Sequence, residues 1–554
     1  MAAILALMLS LGAQSGYSPA PVSGTPILDQ VPFVNIRDLF NKGGQVVSAL
    51  KATASFAYDD ASSIGGASLE SARKRLLRLE SVQSVLGRSN NASADQLNAG
   101  LNNNDNDNNN NSNNNNCTTG AGNSGSCAPK DPDASRNVSE IIRSRGFLAE
   151  EYDVITRDGY ILIIQRIINP LVDASARDKL KPVILQHGLM SSSVDWVINS
   201  VDVRPSKFPK QQQQRRRRGA SAAGADANAT ASSSSAASIN GLGSGDTQES
   251  PNSLGYYLAN EGYDVFLANS RGNIYGQRHV RLTRWQPAFW SFTFDEQIKY
   301  DLPAIIEFVQ RLTKQTKLGY VGHSQGTTMA LGLLADEPDY ADVLEPVVLL
   351  APVAYVNHCI SPAKYFSIYT PVFSHINMWF GSSNKAVAYL GPIVCGPKVV
   401  RRDICENLIF LATGFDEAQF NDTRVSAYLA HMPSGTSVKN IAHWGQEVIS
   451  GRFAHFDHGI LGNQARYGVA RAPDYDIGKI RSKSLALFVA DNDWLASPKD
   501  VARLRAELKQ PLATLVNVTE FLPAWNHIDF LYGKDCGRLV NRHVVDLFHK
   551  YDVK

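Results

Sequence analysis

The stretch LGYVGHSQGTTMALGLLA, Leu318 to Ala335, passes from an apolar run through two glycines that bracket a serine and straight into a second apolar run. Gly322-His323-Ser324-Gln325-Gly326 fits G-x-S-x-G. In that pattern a strand ends in a strained turn, a helix begins at once, and the serine hydroxyl is left exposed above the sheet. Three fixed positions would match by chance about 0.2 times in a chain this long at average glycine and serine usage. The competing reading is a glycine-rich turn before a buried helix, so the neighbouring segments have to decide.

Outward from this stretch lie short apolar runs that end in polar loops. They are KPVILQ to Gln186, GYDVFLAN to Asn269, LGYVG to Gly322, PVVLLAPVA to Ala354, SLALFVA to Ala490 and TLVNVTEFL to Leu522. Runs without alternation suit parallel strands covered on both faces. Ahead of them, EEYDVITRDGYILIIQRI gives two β-rich runs around Asp158-Gly159, a hairpin-turn dipeptide. Helical patterns separate the runs, including DLPAIIEFVQRL after an expected Asp301 cap and SPKDVARLRAEL with Ser497 at the cap. The pattern predicts a doubly wound α/β fold with a mostly parallel eight-stranded sheet and helices on both faces. Residues 355–480 are too long for a crossover and predict an inserted helical cap over the carboxyl ends of the strands.

A serine nucleophile needs a base to take its proton and a carboxylate to orient that base, in the chain order serine, acid, histidine. The run ending at Ala490 leads into DNDWLASPKD, and the run ending at Leu522 leads into PAWNHIDFLYG. Asp493 is the expected acid, with Asp491 competing for the role. His527 is the expected base, since it follows the last strand and precedes the terminal helix that holds His543 and His549. Asp529 is either a partner behind the histidine or a helix cap. For the oxyanion, the N–H of Gln325 supplies one donor and the N–H of Leu189, in the His187-Gly188-Leu189 turn after the third strand, the second.

The blocks VSEIIRSRGFLAEEYDVITRDGYIL, HGLMSSSVDWV, LANSRGNIYGQRH, FWSFTFDEQIKYDLPAII, GHSQGTTMAL, DNDWLAS and NHIDFLYG, in that order, resemble the acid lipase family that includes gastric and lysosomal acid lipases. The resemblance runs from about Asn137 to the C-terminus, apart from an Arg-rich insert. It implies an α/β-hydrolase fold with a helical cap and lid that cleaves carboxylic esters of neutral lipids, triacylglycerols or sterol esters, at a lipid–water interface. It implies neither a metal nor an organic cofactor. By its motifs the nucleophile falls on Ser324, the acid on Asp493, the base on His527, and the oxyanion donors on Leu189 and Gln325. The family's paired cap cysteines resemble Cys395 and Cys405, and a family glycosylation position resembles Asn421. A carboxylesterase of short soluble esters and a non-catalytic lipid-binding protein are the alternatives on the same fold.

Composition bounds the rest. The chain has 554 residues, 44% of them apolar, and a net charge of +2, which favours no polyanionic partner. Its one dense basic run, Arg215 to Arg218, sits in a low-complexity insert, so no nucleic-acid partner is expected. That insert, 205–250, and the Asn-rich tract within the 16–136 extension hold too few large apolar residues to offset the entropy of ordering, and both are expected to be disordered. Residues 1–15 are expected to be a signal peptide, with an apolar core at Ala2 to Ala13 and small residues at Ala13 to Ser15, although no basic region precedes it. No later apolar run nears the ~20 residues that span a bilayer, and a secreted or lysosomal soluble protein is expected. The hydrolase core is expected at 137–354 and 481–554. Asn137, Asn421 and Asn517 head N-x-[ST] sequons outside the Asn-rich tract. Among six cysteines, Cys395 and Cys405, ten apart, are the pair expected to bridge.

Overall fold

The computed structural model describes residues 131–207, 250–381 and 410–552, apart from positions 411, 510 and 513. The expected signal segment, the Asn-rich tract, most of the insert, and the Cys395–Cys405 pair lie outside the described residues.

One twisted sheet organises the described chain. Its strands are β1 (Leu148–Ile155), β2 (Tyr160–Ile168), β3 (Lys181–Gln186), β4 (Tyr263–Ala268), β5 (Arg278–His279), β6 (Leu318–His323) and β7 (Leu344–Leu350). A two-residue pair, β8 (Trp379–Phe380) with β9 (Thr436–Ser437), forms a separate ribbon, and β10 (Leu485–Val489) and β11 (Thr514–Asn517) complete the main sheet. The order is β1-β2-β4-β3-β6-β7-β10-β11, with β5 added beside β2. The eight expected strands thus form the path, and a ninth of only two residues comes from the RGNIYGQRH loop. β1, β2 and β4 meet antiparallel, whereas β4, β3, β6, β7, β10 and β11 run parallel.

The helices that matter here are α1 (Val138–Ser144), α2 (Leu254–Asn260), α3 (Leu302–Thr313), α4 (Gln325–Asp336), α5 (Val425–His431), α6 (Val438–Ser450), α7 (Gly459–Tyr467), α8 (Pro498–Glu507) and α9 (Arg542–Tyr551). Two residues of β4 show that both faces are covered. Phe266 belongs to the buried cluster built with Leu302, Ile305 and Val309 of α3 and Met329 and Leu333 of α4. Tyr263, three residues earlier and therefore on the other face, packs edge-on against Phe548 of α9 with ring centres 5.3 Å apart.

Local signals account for several boundaries. Asn137 caps α1 by accepting the N–H of Glu140, whose carboxylate returns to the N–H of Asn137. Ser497 caps α8 through the N–H of Asp500, with Pro498 in the first turn. The expected Asp301 cap differs: its side chain makes no capping bond, because a π-helical stretch, Gln297–Asp301, already leads into α3. The Asp301 carboxylate instead accepts the backbone N–H and guanidinium of buried Arg271, at 2.9 and 2.8 Å. The last strand also ends sooner than the apolar run suggests, at Asn517, whose side chain caps a 3-10 turn, Val518–Glu520.

Register sets up the site. Gln186 of β3 pairs with Gly322 of β6, His323 with Leu350 of β7, Leu350 with Phe488 of β10, and Val489 with Asn517 of β11. In parallel strands these in-register ends put the loops after β3, β6, β10 and β11 along one edge.

Candidate active site

Ser324 sits between β6 and α4 with φ 53° and ψ −120°, outside the regions open to an ordinary residue. The two glycines make the turn possible. A Cβ on Gly322 would come within 2.7 Å of the Gly326 backbone, and a Cβ on Gly326 within 2.5 Å of the Gln186 carbonyl oxygen. The Ser324 carbonyl accepts the N–H of Thr327 at 2.8 Å and that residue's hydroxyl as well. Strain of this kind persists only where surrounding bonds over-determine the backbone.

Three side chains from separate loops meet at this turn. The Ser324 hydroxyl lies 2.8 Å from Nε2 of His527. On the far side of the ring, Nδ1 lies 2.8 Å from Oδ2 and 3.0 Å from Oδ1 of Asp493. Asp493 is 1% exposed, and its Oδ1 also accepts the N–H groups of Leu495 and Ala496 at 2.9 and 2.8 Å. Those bonds fix the carboxylate, which then fixes the ring. Asp491, the competing carboxylate, is exposed and lies beside Asn517 and Thr519 rather than the imidazole.

The loop after β3 reaches the same place. A Cβ on Gly188 would lie 2.9 Å from the Ser324 Cβ and 3.3 Å from Nδ1 of His323, so only glycine lets the loop approach this closely. No backbone acceptor among the described residues takes the N–H of Leu189, and the N–H of Gln325, at the first helical position, has no acceptor within the helix. These are the two N–H groups expected as oxyanion donors. Two other histidines line this floor. Burial pushes the His187 imidazole down to about 4 and that of His323 to about 3, so both remain neutral in mildly acid solution. His187 touches the Gly188 carbonyl with Nδ1 and accepts the Ser270 N–H at Nε2, while His323 meets the His527 carbonyl at 2.9 Å.

Sequence reasoning did not single out residues 413–415, yet they tie the acid and base loops together. The Thr413 carbonyl accepts the N–H of both Trp494, at 3.4 Å, and His527, at 3.2 Å. The Gly414 carbonyl takes the Asn526 amide and the Phe415 carbonyl the Asn492 amide, each at 3.1 Å. No local motif marks a run of carbonyls, so no sequence signal was available. Asp529 accepts the N–H of Asn526 at 2.7 Å. Burial raises its carboxyl well above the usual range, as does the neighbouring charge of Asp416, whose own carboxyl burial also raises.

The remaining expected positions are spread over the surface. Asn137 is exposed and Asn421 and Asn517 are half-buried, and each uses its side-chain oxygen to cap the turn that follows. Cys359 and Cys536 are buried free thiols. Among the described residues, no group of three or more His, Cys, Asp or Glu side chains is arranged to hold a metal ion, and no helix is long and apolar enough to cross a membrane.

The sheet order, the strand-turn-helix at Ser324 and the crossover helices on both faces define an α/β-hydrolase. A model of the α/β-hydrolase fold matches residues 240–363, and one of a partial α/β-hydrolase lipase region matches residues 138–200. Human lysosomal acid lipase/cholesteryl ester hydrolase is 33% identical over 434 residues, 78% of this chain and 95% of that protein. Bovine gastric triacylglycerol lipase is 35% identical over 422 residues, 76% of this chain and 92% of its own length. Human lipase member K is 33% identical over 426 residues, covering 76% and 92%. The chain belongs to the acid lipase family, whose named members are carboxylic ester hydrolases.

Proposed function

We propose that this lipase hydrolyses the carboxylic esters of neutral lipids, triacylglycerols or sterol esters, through an acyl-enzyme on Ser324. The observation that carries the reading is the unbroken chain from the Ser324 hydroxyl through both ring nitrogens of His527 to the buried carboxylate of Asp493. Oγ attacks the ester carbonyl carbon while its proton passes to Nε2. The carbonyl oxygen becomes an oxyanion held by the N–H groups of Leu189 and Gln325. Collapse breaks the ester C–O bond, and the alcohol leaves with the proton from Nε2. Water then gives a proton to the same nitrogen as its oxygen attacks the acyl carbon; collapse breaks the bond from that carbon to Oγ, Nε2 returns the proton to Oγ, and the fatty acid leaves the free serine. Asp493 keeps the proton of the neutral ring on Nδ1, so that Nε2 faces Ser324 as an acceptor, and stabilises the imidazolium formed in each half-reaction.

The choice of lipid esters is supported by what the relatives are named for and by apolar side chains on the 355–480 segment, which we read as the cap. Ile368 is 68% exposed, Val372 51% and Met378 46%, a surface suited to contact with lipid. Secretion or lysosomal targeting fits the sequons and the gastric and lysosomal relatives. The test is turnover of a long-chain triacylglycerol and a sterol ester as each passes from dispersed monomers to emulsion. A rise at the emulsion boundary, absent in Ser324→Ala, is expected. Turnover restricted to short soluble esters would overturn the lipid assignment.

A further inference from the structure

The side chain of Gln325, whose backbone N–H faces the proposed oxyanion, is held on all its polar atoms. Nε2 donates to the Gln297 side-chain oxygen at 2.7 Å, and Oε1 accepts the Asn440 amide at 3.0 Å and the Trp444 indole N–H at 2.8 Å. Gln325, Gln297 and Asn440 are 3%, 1% and 0% exposed, so water does not compete for these bonds. Gln297 comes from the π-helical stretch before α3, but Asn440 and Trp444 are both on α6, within the inserted 355–480 segment. Four residues apart on a helix, they share a face.

The same segment touches the other proposed oxyanion strand of chain. The N–H of Ser434 donates to the carbonyl of Met190, the residue after Leu189, at 2.6 Å. Met190 has a left-handed φ of 58°, a conformation that a residue with a side chain holds only when its surroundings require it. Between the two contacts, Ser437 caps α6 through the Asn440 N–H and donates its hydroxyl to the Phe292 carbonyl at 2.6 Å, and the Asn440 amide also reaches the Thr436 hydroxyl at 3.1 Å. One continuous piece of the inserted segment, Ser434 to Trp444, is therefore bonded to both backbone turns from which the oxyanion donors project.

We propose that Asn440 and Trp444 are positioning residues that set the direction of the oxyanion donor at Gln325, so that the inserted segment assembles the oxyanion hole as well as covering the site. The inference rests on the acyl-enzyme reading above. Its physical basis is that the peptide plane between Ser324 and Gln325 lies in a sparsely populated conformation and can swing unless both ends are held. Thr327 holds the Ser324 carbonyl end; the Gln297–Asn440–Trp444 clamp holds the Gln325 end. Donors aimed at charge that develops in the transition state affect kcat rather than ground-state binding.

Parent enzyme, Trp444→Phe, Asn440→Leu and Ser324→Ala are compared on a soluble p-nitrophenyl ester and for inhibition by an alkylboronic acid, which forms a tetrahedral adduct on a serine. Trp444→Phe keeps an aromatic ring against Phe294 and removes the donor together with part of the indole's volume; it is the variant that decides if Asn440→Leu does not fold. The proposal expects kcat and boronate affinity to fall together by about tenfold at unchanged KM, short of the roughly 10²–10³ lost when a donor is removed outright. Parental kcat and boronate affinity in Trp444→Phe overturn it, as does a loss confined to KM or to the thermal midpoint. Turnover and boronate inhibition retained in Ser324→Ala would take down the acyl-enzyme reading itself, and this inference with it.

Discussion

Oδ1 of Asp493 accepts two backbone N–H groups and lies 3.0 Å from Nδ1 of His527, while Oδ2 lies closer to Nδ1, at 2.8 Å, and takes no backbone N–H, so the two oxygens of one carboxylate are held differently. That division decides what an amide would do in its place. In Asp493→Asn the carbonyl oxygen stays with Leu495 and Ala496, and the NH₂ group is turned toward Nδ1. The ring must then accept at Nδ1 and carry its proton on Nε2, pointing it at the Ser324 hydroxyl. The expected result is a kcat lower by about 10³–10⁴ with little change in thermal midpoint, checked by steady-state kinetics beside a melting curve.

Arg271 links the β1–β2 hairpin to the start of α3. It is 1% exposed, its guanidinium takes both oxygens of Asp158 at 2.6 and 2.9 Å, and it lies over the Tyr160 ring at 4.0 Å. Arg271→Met leaves Asp301, 0% exposed, without its cation. Removing one partner from a buried pair costs roughly 3–5 kcal/mol, because the remaining charge has no compensation. A denaturant midpoint shifted by that free energy at unchanged slope is expected.

Asp195 gives a pH dependence with a definite sign. Burial pushes its carboxyl up to about 6, although it accepts hydroxyl hydrogens from Ser191 and, at 2.6 Å, from Tyr532. From about pH 4 to 6 the unfolded chain has lost this proton while the folded chain keeps it, so this group's contribution to stability falls as pH rises through the window. In Asp195→Asn that contribution is absent. Unfolding free energies of parent and variant should therefore converge toward acid and separate in the variant's favour above about pH 6, by up to about 3 kcal/mol. A constant difference from pH 4 to 7 would contradict the assignment.

The sheet was legible because its strands are bounded apolar runs and because their parallel order follows from helices placed between them. The Ser324 turn was legible because two glycines are sterically required within a few residues of each other. Asp493 and His527 could be placed at a strand end, but only in-register pairing brings those ends to one edge, and only geometry separates Asp493 from Asp491. The carbonyls of 413–415, the clamp on Gln325 and the Arg271 network were not legible. They depend on backbone groups, or on common side chains more than 100 residues apart in several cases, such as Gln325 with Asn440 at a separation of 115. Asp301 shows the converse: a residue with a local signal for capping was taken by a tertiary partner.

The central claim is tested most directly by locating a covalent adduct. Parent enzyme is treated with a lipid-like fluorophosphonate, digested, and its peptides weighed. The account predicts one phosphonylated peptide, modified at Ser324, and none in Ser324→Ala or after heat denaturation. Modification at another residue, or an unlabelled but folded parent enzyme, would contradict it.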